Sequence, residues 1–240
     1  MNILVAAFAY NERPYIPYMV EYYRSQGCDL LILDNYSTDG TYEWLVENNV
    51  RTGRVDTKDS FHLAKLQAEL SKEIAKIKPD WVVYTGIDAY YFFEGTIREE
   101  IEKADAAGHN SIEVKHIEVH NTGEIFKLPF PENYFYMAGP FGKGLRMIAK
   151  YAYTIKIHAD EIRVSMASVY KSTGFFINYG FCKPREEREL TYARRQKAWT
   201  LGEDRGHGVH YRPAQERNWV WTKPEFTDIR TTEYYKMMTK

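Results

Sequence analysis

The sequence predicts an α/β fold: a mostly parallel sheet flanked by helices in the first half, followed by an α+β half. Three observations lead there. Ile3 to Ala9, Leu30 to Leu33 and Trp81 to Thr85 are short unbroken apolar runs, the pattern of strands buried on both faces. Helical spacing separates them, with Ile16, Met19, Val20 and Tyr23 in one segment and Leu63, Leu66, Leu70, Ile74 and Ile77 in another. After Asn121 the pattern turns irregular, because Pro129, Pro131, Gly139-Pro140 and Gly142-Lys143-Gly144 interrupt short strand-like pieces. The expected halves are 1–120 and 121–240, forming one continuous domain.

Composition narrows the class. The chain has 240 residues, 44% of them hydrophobic and 27% charged, which is ordinary for a globular protein and excludes collagen-like, coiled-coil and disordered chains. Lys+Arg 32 against Asp+Glu 33 leaves a net charge of -1, so the protein has no global field for nucleic acid or anionic lipid. Cys28 and Cys182 cannot form a disulfide scaffold or a thiolate metal site, and a reducing compartment is the expectation. No apolar stretch reaches the ~20 residues that cross a bilayer. The sequence therefore predicts a cytoplasmic protein without a transmembrane segment. Its 20 tyrosines suit either a Tyr-rich core or stacking against sugar rings.

The elements follow in order. Ile3 to Ala9 is a strand, not a leader, since no Lys or Arg precedes it and Asn11-Glu12-Arg13 follows at once. Pro14 and Pro17 fit a helix start, and Gly27 fits its stop. After the strand Leu30 to Leu33, the polar turn Asp34 to Thr41 precedes a helix near Tyr42 to Glu47. The Leu63 to Ile77 helix ends at Pro79, and the strand Trp81 to Thr85 delivers Gly86-Ile87-Asp88 to the sheet edge. A helix near Thr96 to Ala107 and a strand near Ser111 to Val119 close the first half. The second half offers strand pieces at Tyr134 to Met137, Met147 to Ile157 and Ile162 to Tyr170, then a charged helix from Pro184 to about Leu201. A loop from Gly202 to Arg212 is crowded with charged and histidine side chains.

The strand end Ala9-Tyr10-Asn11-Glu12 and the turn Asp34-Asn35-Tyr36-Ser37-Thr38-Asp39-Gly40-Thr41 come from neighbouring strands of such a sheet, where their side chains can face one pocket. Taken singly, Ser37 and Asp39 also read as helix caps and Asp34 as a turn former. At these residues the chain resembles family-2-like glycosyltransferases of the GT-A fold, whose opening reads strand, Asn-Glu, helix, strand, Asp-Asn-x-Ser-x-Asp-Gly-Thr. The resemblance covers about the first half of the chain. It implies a Rossmann-like sheet and an inverting transfer of a sugar from a nucleotide-sugar donor to a glycan, glycolipid or surface-polymer acceptor. It carries Glu12 and Asp34 over as nucleotide contacts, with Tyr10, Asn11 and Ser37 beside them.

One departure stands out. Where the family shows Asp-x-Asp-Glu, this chain has Gly86-Ile87-Asp88-Ala89, which leaves Asp88 as the one metal ligand the resemblance can carry. A divalent Mn²⁺ or Mg²⁺ cofactor is expected on that basis, completing its shell with water and the donor diphosphate; the alternative is a strand end without metal. The segment Val209-His210-Tyr211-Arg212 is similar to the family's terminal histidine region and assigns His210 to the metal. Arg205, His207 and Arg212 are assigned to the diphosphate. Arg194 and Arg195 read as a solvated helix face paired with Glu186, Glu187 and Glu189. For the base, Gly142-Lys143-Gly144 followed by His158-Ala159-Asp160-Glu161 resembles the family's glycine-rich stretch and acidic pair. Asp160 is the choice, with Glu161 beside it and His158 able to serve instead; an ordinary turn acid is the other reading of Asp160. Tyr134, Tyr136, Phe175, Phe176, Tyr179 and Trp199 read as core before acceptor platform. A non-enzymatic alternative is a glycosyltransferase-like module that binds a nucleotide or glycan without transfer.

Overall fold

The computed structural model describes residues 1–121, 126–158, 161–164, 166–201 and 226–239. β1 (Ile3–Ala9) is buried along nearly its whole length. α1 (Ile16–Ser25) turns Ile16, Met19, Val20 and Tyr23 inward, with Pro17 in the first turn, where its missing N–H leaves no bond unmade. Gly27, at φ +76, lets the chain leave α1 for β2 (Asp29–Asp34), which runs parallel to β1 with Asp34 opposite Ala9. α2 (Thr41–Glu47) leads to β3 (Arg51–Arg54), a short polar edge strand parallel to β2. The sequence reading contains no β3; at an edge, backbone pairing holds a strand that has no apolar alternation to announce it.

α3 (Leu63–Ile77) buries Leu66, Gln67, Leu70 and Ile74, and β4 (Trp81–Tyr84) then pairs parallel to β1 on the side away from β2. The aromatic run continues as β5 (Ala89–Phe92). α4 (Ile97–Ala106) opens with a capping box between Thr96 and Glu99, worth about 1 kcal/mol. β6 (Ser111–His120) and the single turn α5 (Phe130–Asn133) lead into β7 (Tyr136–Lys150).

β7 corrects the expected two separate pieces. It is one fifteen-residue strand, and its glycines and proline fall where the register with β6 shifts, between the pairs Glu118–Ala138, His116–Phe141 and Val114–Leu145. β8 (Thr154–His158) and β9 (Glu161–Val164) form a hairpin. β10 (Val169–Phe181) begins near the end of the predicted piece and extends well past it. α6 (Arg185–Thr200) matches the expected charged helix, and β11 (Thr227–Asp228) and α7 (Tyr235–Met238) complete the described chain.

The strands form a mixed sheet in the order β3-β2-β1-β4-β7-β6-β10-β5, with β9 and β11 also pairing with β7. Pairing is parallel from β3 to β4 and again between β6 and β10; β7 is antiparallel to both its sheet neighbours, as β5 is to β10. The sheet therefore runs without interruption past residue 120. The core lies on both its faces; Tyr134, Phe175, Phe176 and Tyr179 are buried in it with Tyr90 and Tyr91, as the packing reading expects, while Tyr136 is half-buried. Among the described residues no helix is long and apolar enough to cross a membrane.

From β1 the chain steps outward to β2 and β3, then returns to the opposite side of β1 at β4. The strand order thus reverses between β1 and β4, and the crevice beyond their C-terminal ends is where open α/β sheets bind ligands.

Candidate active site

At the end of β1, Asn11 adopts φ +53, a left-handed conformation that asparagine tolerates better than most residues, and this turns the chain across the sheet edge. The 34–41 turn is stitched to it. Asn11 N–H donates to Ser37 Oγ at 2.8 Å, and Asn11 Oδ1 accepts from Thr38 N–H at 2.8 Å. Glu12 N–H donates to Thr41 Oγ1 at 2.9 Å, while Arg13 N–H donates to Asp39 Oδ2 at 2.9 Å. Ser37 Oγ and Asn11 Oδ1 are thus engaged in bracing the turn against the end of β1. Asp34 is fully buried, accepting Ser37 N–H at 3.1 Å with Arg54 Nε at 3.5 Å. Burial raises its pKa against the pull of Ser37 and Arg54. The turn former weighed as the alternative for Asp34 describes these contacts.

Glu12 and Asp88 do come together, and a residue absent from the sequence reading joins them. Lys183 Nζ lies 2.9 Å from Glu12 Oε1, 2.8 Å from Glu12 Oε2 and 2.9 Å from Asp88 Oδ2. β10 delivers it: Asn178 pairs with Ala89, Tyr179 N–H donates to the Asp88 carbonyl at 2.8 Å, and the chain reaches Lys183 just past the strand end. A side chain on Gly180 would start 3.1 Å from Asn178 Oδ1 and 3.3 Å from Asp88 Oδ2, so β10 passes close against the Asp88 carboxylate here. The Tyr15 ring lies 4.6 Å from the ammonium, and its hydroxyl donates to Glu187 at 2.6 Å. Tyr15 in turn stacks on Phe130, and Phe130 on Tyr179. A lysine between Cys182 and Pro184, directly after a buried strand and before a helix, was the available signal for this residue.

The two carboxylates respond differently. Burial dominates at Glu12 and raises its pKa from 4.5 to about 7 despite Lys183. At Asp88 burial also raises, but the ammonium overcomes it and the pKa falls below the usual value. A raised carboxyl pKa means that the folded protein holds a proton the unfolded chain releases, so stability declines as pH climbs from 4.5 toward 7 and levels above. The stability of the wild type relative to Glu12→Gln is accordingly expected to fall by about 3 kcal/mol between about pH 4 and about pH 8, read from urea midpoints. A pH-independent difference would show that Glu12 titrates normally.

Tyr10 lies under the guanidinium of Arg194, 3.2 Å from its ring centroid. This corrects the expected solvated face for that arginine: it is 5% exposed, and it donates to the Ser60 carbonyl at 3.2 Å. Arg195 packs on the Phe61 ring at 4.8 Å. Arg185 and Glu189 do pair along the helix, at 2.7 Å.

His158 and Glu161 face each other as the last and first paired residues of the β8–β9 hairpin, and Asp160 between them lies outside the described residues. Arg205, His207, His210 and Arg212 lie outside them as well. The described residues do not fit a resident divalent ion. The Asp88 oxygen such an ion would take already contacts Lys183, and no three His, Cys, Asp or Glu side chains cluster for it among the described residues.

Across α5 from Tyr15 is a cavity of ≈ 240 Å³, lined by His120, Lys127, Glu132, Asn133, Tyr136 and Arg230. A wider one of ≈ 640 Å³ lies at the opposite sheet edge beside Asp105 and Lys150, which pair with each other at 2.6 Å. The first adjoins the edge at which open α/β sheets bind ligands, with His120 at the end of β6 and Tyr136 at the start of β7.

No protein-family model matches the chain, and no curated protein sequence matches it. Among solved structures, Staphylococcus aureus TarS is similar over 53% of this chain and 24% of its own, at 17% identity and a TM-score of 0.42. TarS 1–349 in complex with UDP-GlcNAc is similar over 54% and 37%, at 15% identity and a TM-score of 0.39. A mycobacterial protein is similar over 84% and 74%, at 15% identity and a TM-score of 0.46. The chain spans about a quarter of TarS, and these similarities of chain trace assign it no activity.

Proposed function

We propose that the chain is a nucleotide-sugar-dependent glycosyltransferase of GT-A type that moves a sugar, with inversion, to a glycan, glycolipid or surface-polymer acceptor. The observation that carries this reading is the meeting of Glu12 and Asp88 at the C-terminal ends of β1 and β4, where the strand order reverses. A donor lying across that crevice would set its nucleoside toward Tyr10 and the 34–41 turn and its diphosphate toward Asp88 and Lys183. The cavity beyond α5, polar and carrying both charge signs, suits a hydroxyl-rich acceptor.

In this reading Asp160 takes the proton of the acceptor hydroxyl as its oxygen attacks the anomeric carbon. The bond from that carbon to the diphosphate breaks on the opposite face. Backbone register supports the choice of Asp160. β4 and β7 pair as Val83–Ile148 and Trp81–Lys150, so continuing the register sets Arg146 level with Thr85, three residues before Asp88; Arg146 is the β7 residue that pairs with Glu161. Glu161, the residue after Asp160, is thereby tied to the same sheet edge.

One observation favours the second reading, a module that binds a nucleotide or glycan without transfer. Arg194 covers a face of Tyr10 on which a base could stack, and Asp34 is turned inward. A thermal-shift panel of UDP-, GDP- and dTDP-sugars, followed by chromatographic assay of released nucleoside diphosphate, separates the two. The enzyme reading expects stabilisation by one donor and turnover that drops about 10²- to 10⁴-fold in Asp160→Asn with donor affinity retained. Stabilisation without turnover selects the module, and no response to any donor rejects the enzyme and the nucleotide-binding form of the module.

A further inference from the structure

We propose that Lys183 is the built-in cation of this site: its ammonium stands between Glu12 and Asp88 in place of a divalent ion and supplies the positive charge that meets the donor's diphosphate. The second half of this statement rests on the transferase reading; the first does not.

An ammonium has three N–H donors, and Lys183 has three carboxylate oxygens within 2.9 Å, two on Glu12 and one on Asp88. The group is held from every side. It is 11% exposed, backed by the Tyr15 ring, and set between Cys182, whose N–H donates to the Tyr179 carbonyl at 2.8 Å, and Pro184 ahead of α6. A divalent ion between the same two carboxylates would need oxygens at roughly 2.0–2.6 Å. It would also sit against the ammonium in a site where charge repulsion is weakly screened. Ion and lysine therefore exclude one another. The exchange also fits the shortened strand-end motif: with a lysine supplying charge, Gly86 and Ala89 need not be acidic. Arg195 adds further positive charge toward Asp88.

The test is Mn²⁺ binding to the full chain, followed by electron paramagnetic resonance and thermal shift, without any substrate. Wild type is expected to leave millimolar Mn²⁺ free and to keep its melting temperature. In Lys183→Met the two carboxylates lose their counterion, and Mn²⁺ at about ten times its Kd is expected to raise the melting temperature by about 4 °C, an effect removed by adding Asp88→Asn. Mn²⁺ bound by the wild type and released in Asp88→Asn overturns the proposal, as does a Lys183→Met protein that folds and gains no Mn²⁺ response. If Lys183→Met does not fold, the wild-type and Asp88→Asn spectra decide alone. A second arm adds UDP or GDP in excess chelator. Stabilisation without metal that is lost in Lys183→Gln supports the diphosphate contact, and stabilisation that requires Mn²⁺ overturns it. Silence toward every nucleoside diphosphate defeats the transferase reading while the Mn²⁺ result stands.

Discussion

Lys183→Met is expected to lower the unfolding free energy by about 3–5 kcal/mol at neutral pH, the usual cost of removing one partner from a buried charge cluster. The methionine fills most of the space of the lysine stem, so the loss reports charge more than packing. Without the ammonium, Asp88, its side chain 22% exposed, would stand as an uncompensated negative charge, and Glu12, 18% exposed, would be driven further toward its protonated form. Acid should restore part of the loss, because Glu12 already takes up a proton near neutrality and does so at higher pH still without Lys183. Urea titrations at about pH 5 and about pH 8 read both effects. A loss below about 1 kcal/mol at both would mean that the three groups are solvated well enough to be independent.

Arg194→Met is the second large effect, expected at about 2–4 kcal/mol, since it leaves buried acceptors without their donor. With the Asn35 amide oriented to satisfy both its ends, Arg194 Nη2 donates to its oxygen at 2.9 Å as well as to the Ser60 carbonyl at 3.2 Å. Phe61 N–H donates to the Arg194 carbonyl at 3.2 Å, and the guanidinium carbon lies 3.2 Å from the Tyr10 ring centroid. These contacts hold α6 against the loop after β3. Hydrogen exchange should therefore show α6 and residues 57–61 losing protection together while β1 and β2 keep theirs. Arg194→Lys should not rescue, because a point ammonium cannot reproduce a planar fork stacked on a ring. Unchanged protection of α6 would refute this anchoring role.

The first half of the fold was legible because its strands are buried on both faces and its helices present one apolar stripe, so period and burial coincide. α1, α3 and β4 carry that pattern in their residues. β3 and β5 were not legible: one is a polar edge, and the other continues an aromatic run that periodicity cannot divide. β7 was hidden by its glycines and proline, which mark register shifts against β6 and not ends. Within the site, Glu12 and Asp88 were readable because each lies a few residues past the end of a strand of the parallel core. Lys183 was not, since its partners lie 171 residues away for Glu12 and 95 for Asp88, and only the return of β10 beside β5 joins them. Arg194 misled for a related reason: on a helix as charged as α6, an arginine looks solvated until the ring it covers is brought in from β1.

The place of β7 between β4 and β6 bears on the order in which the polypeptide can be assembled. β4 leaves the ribosome more than sixty residues before the segment that covers its free side, and β5 waits still longer for β10. Throughout that interval the nascent protein displays two hydrophobic strand borders, one of them aromatic-rich, with hydrogen-bonding groups unmet. Elongation speed over residues 85–178 and the availability of chaperones thus bear on yield, and a fragment stopping before β7 carries an adhesive flank.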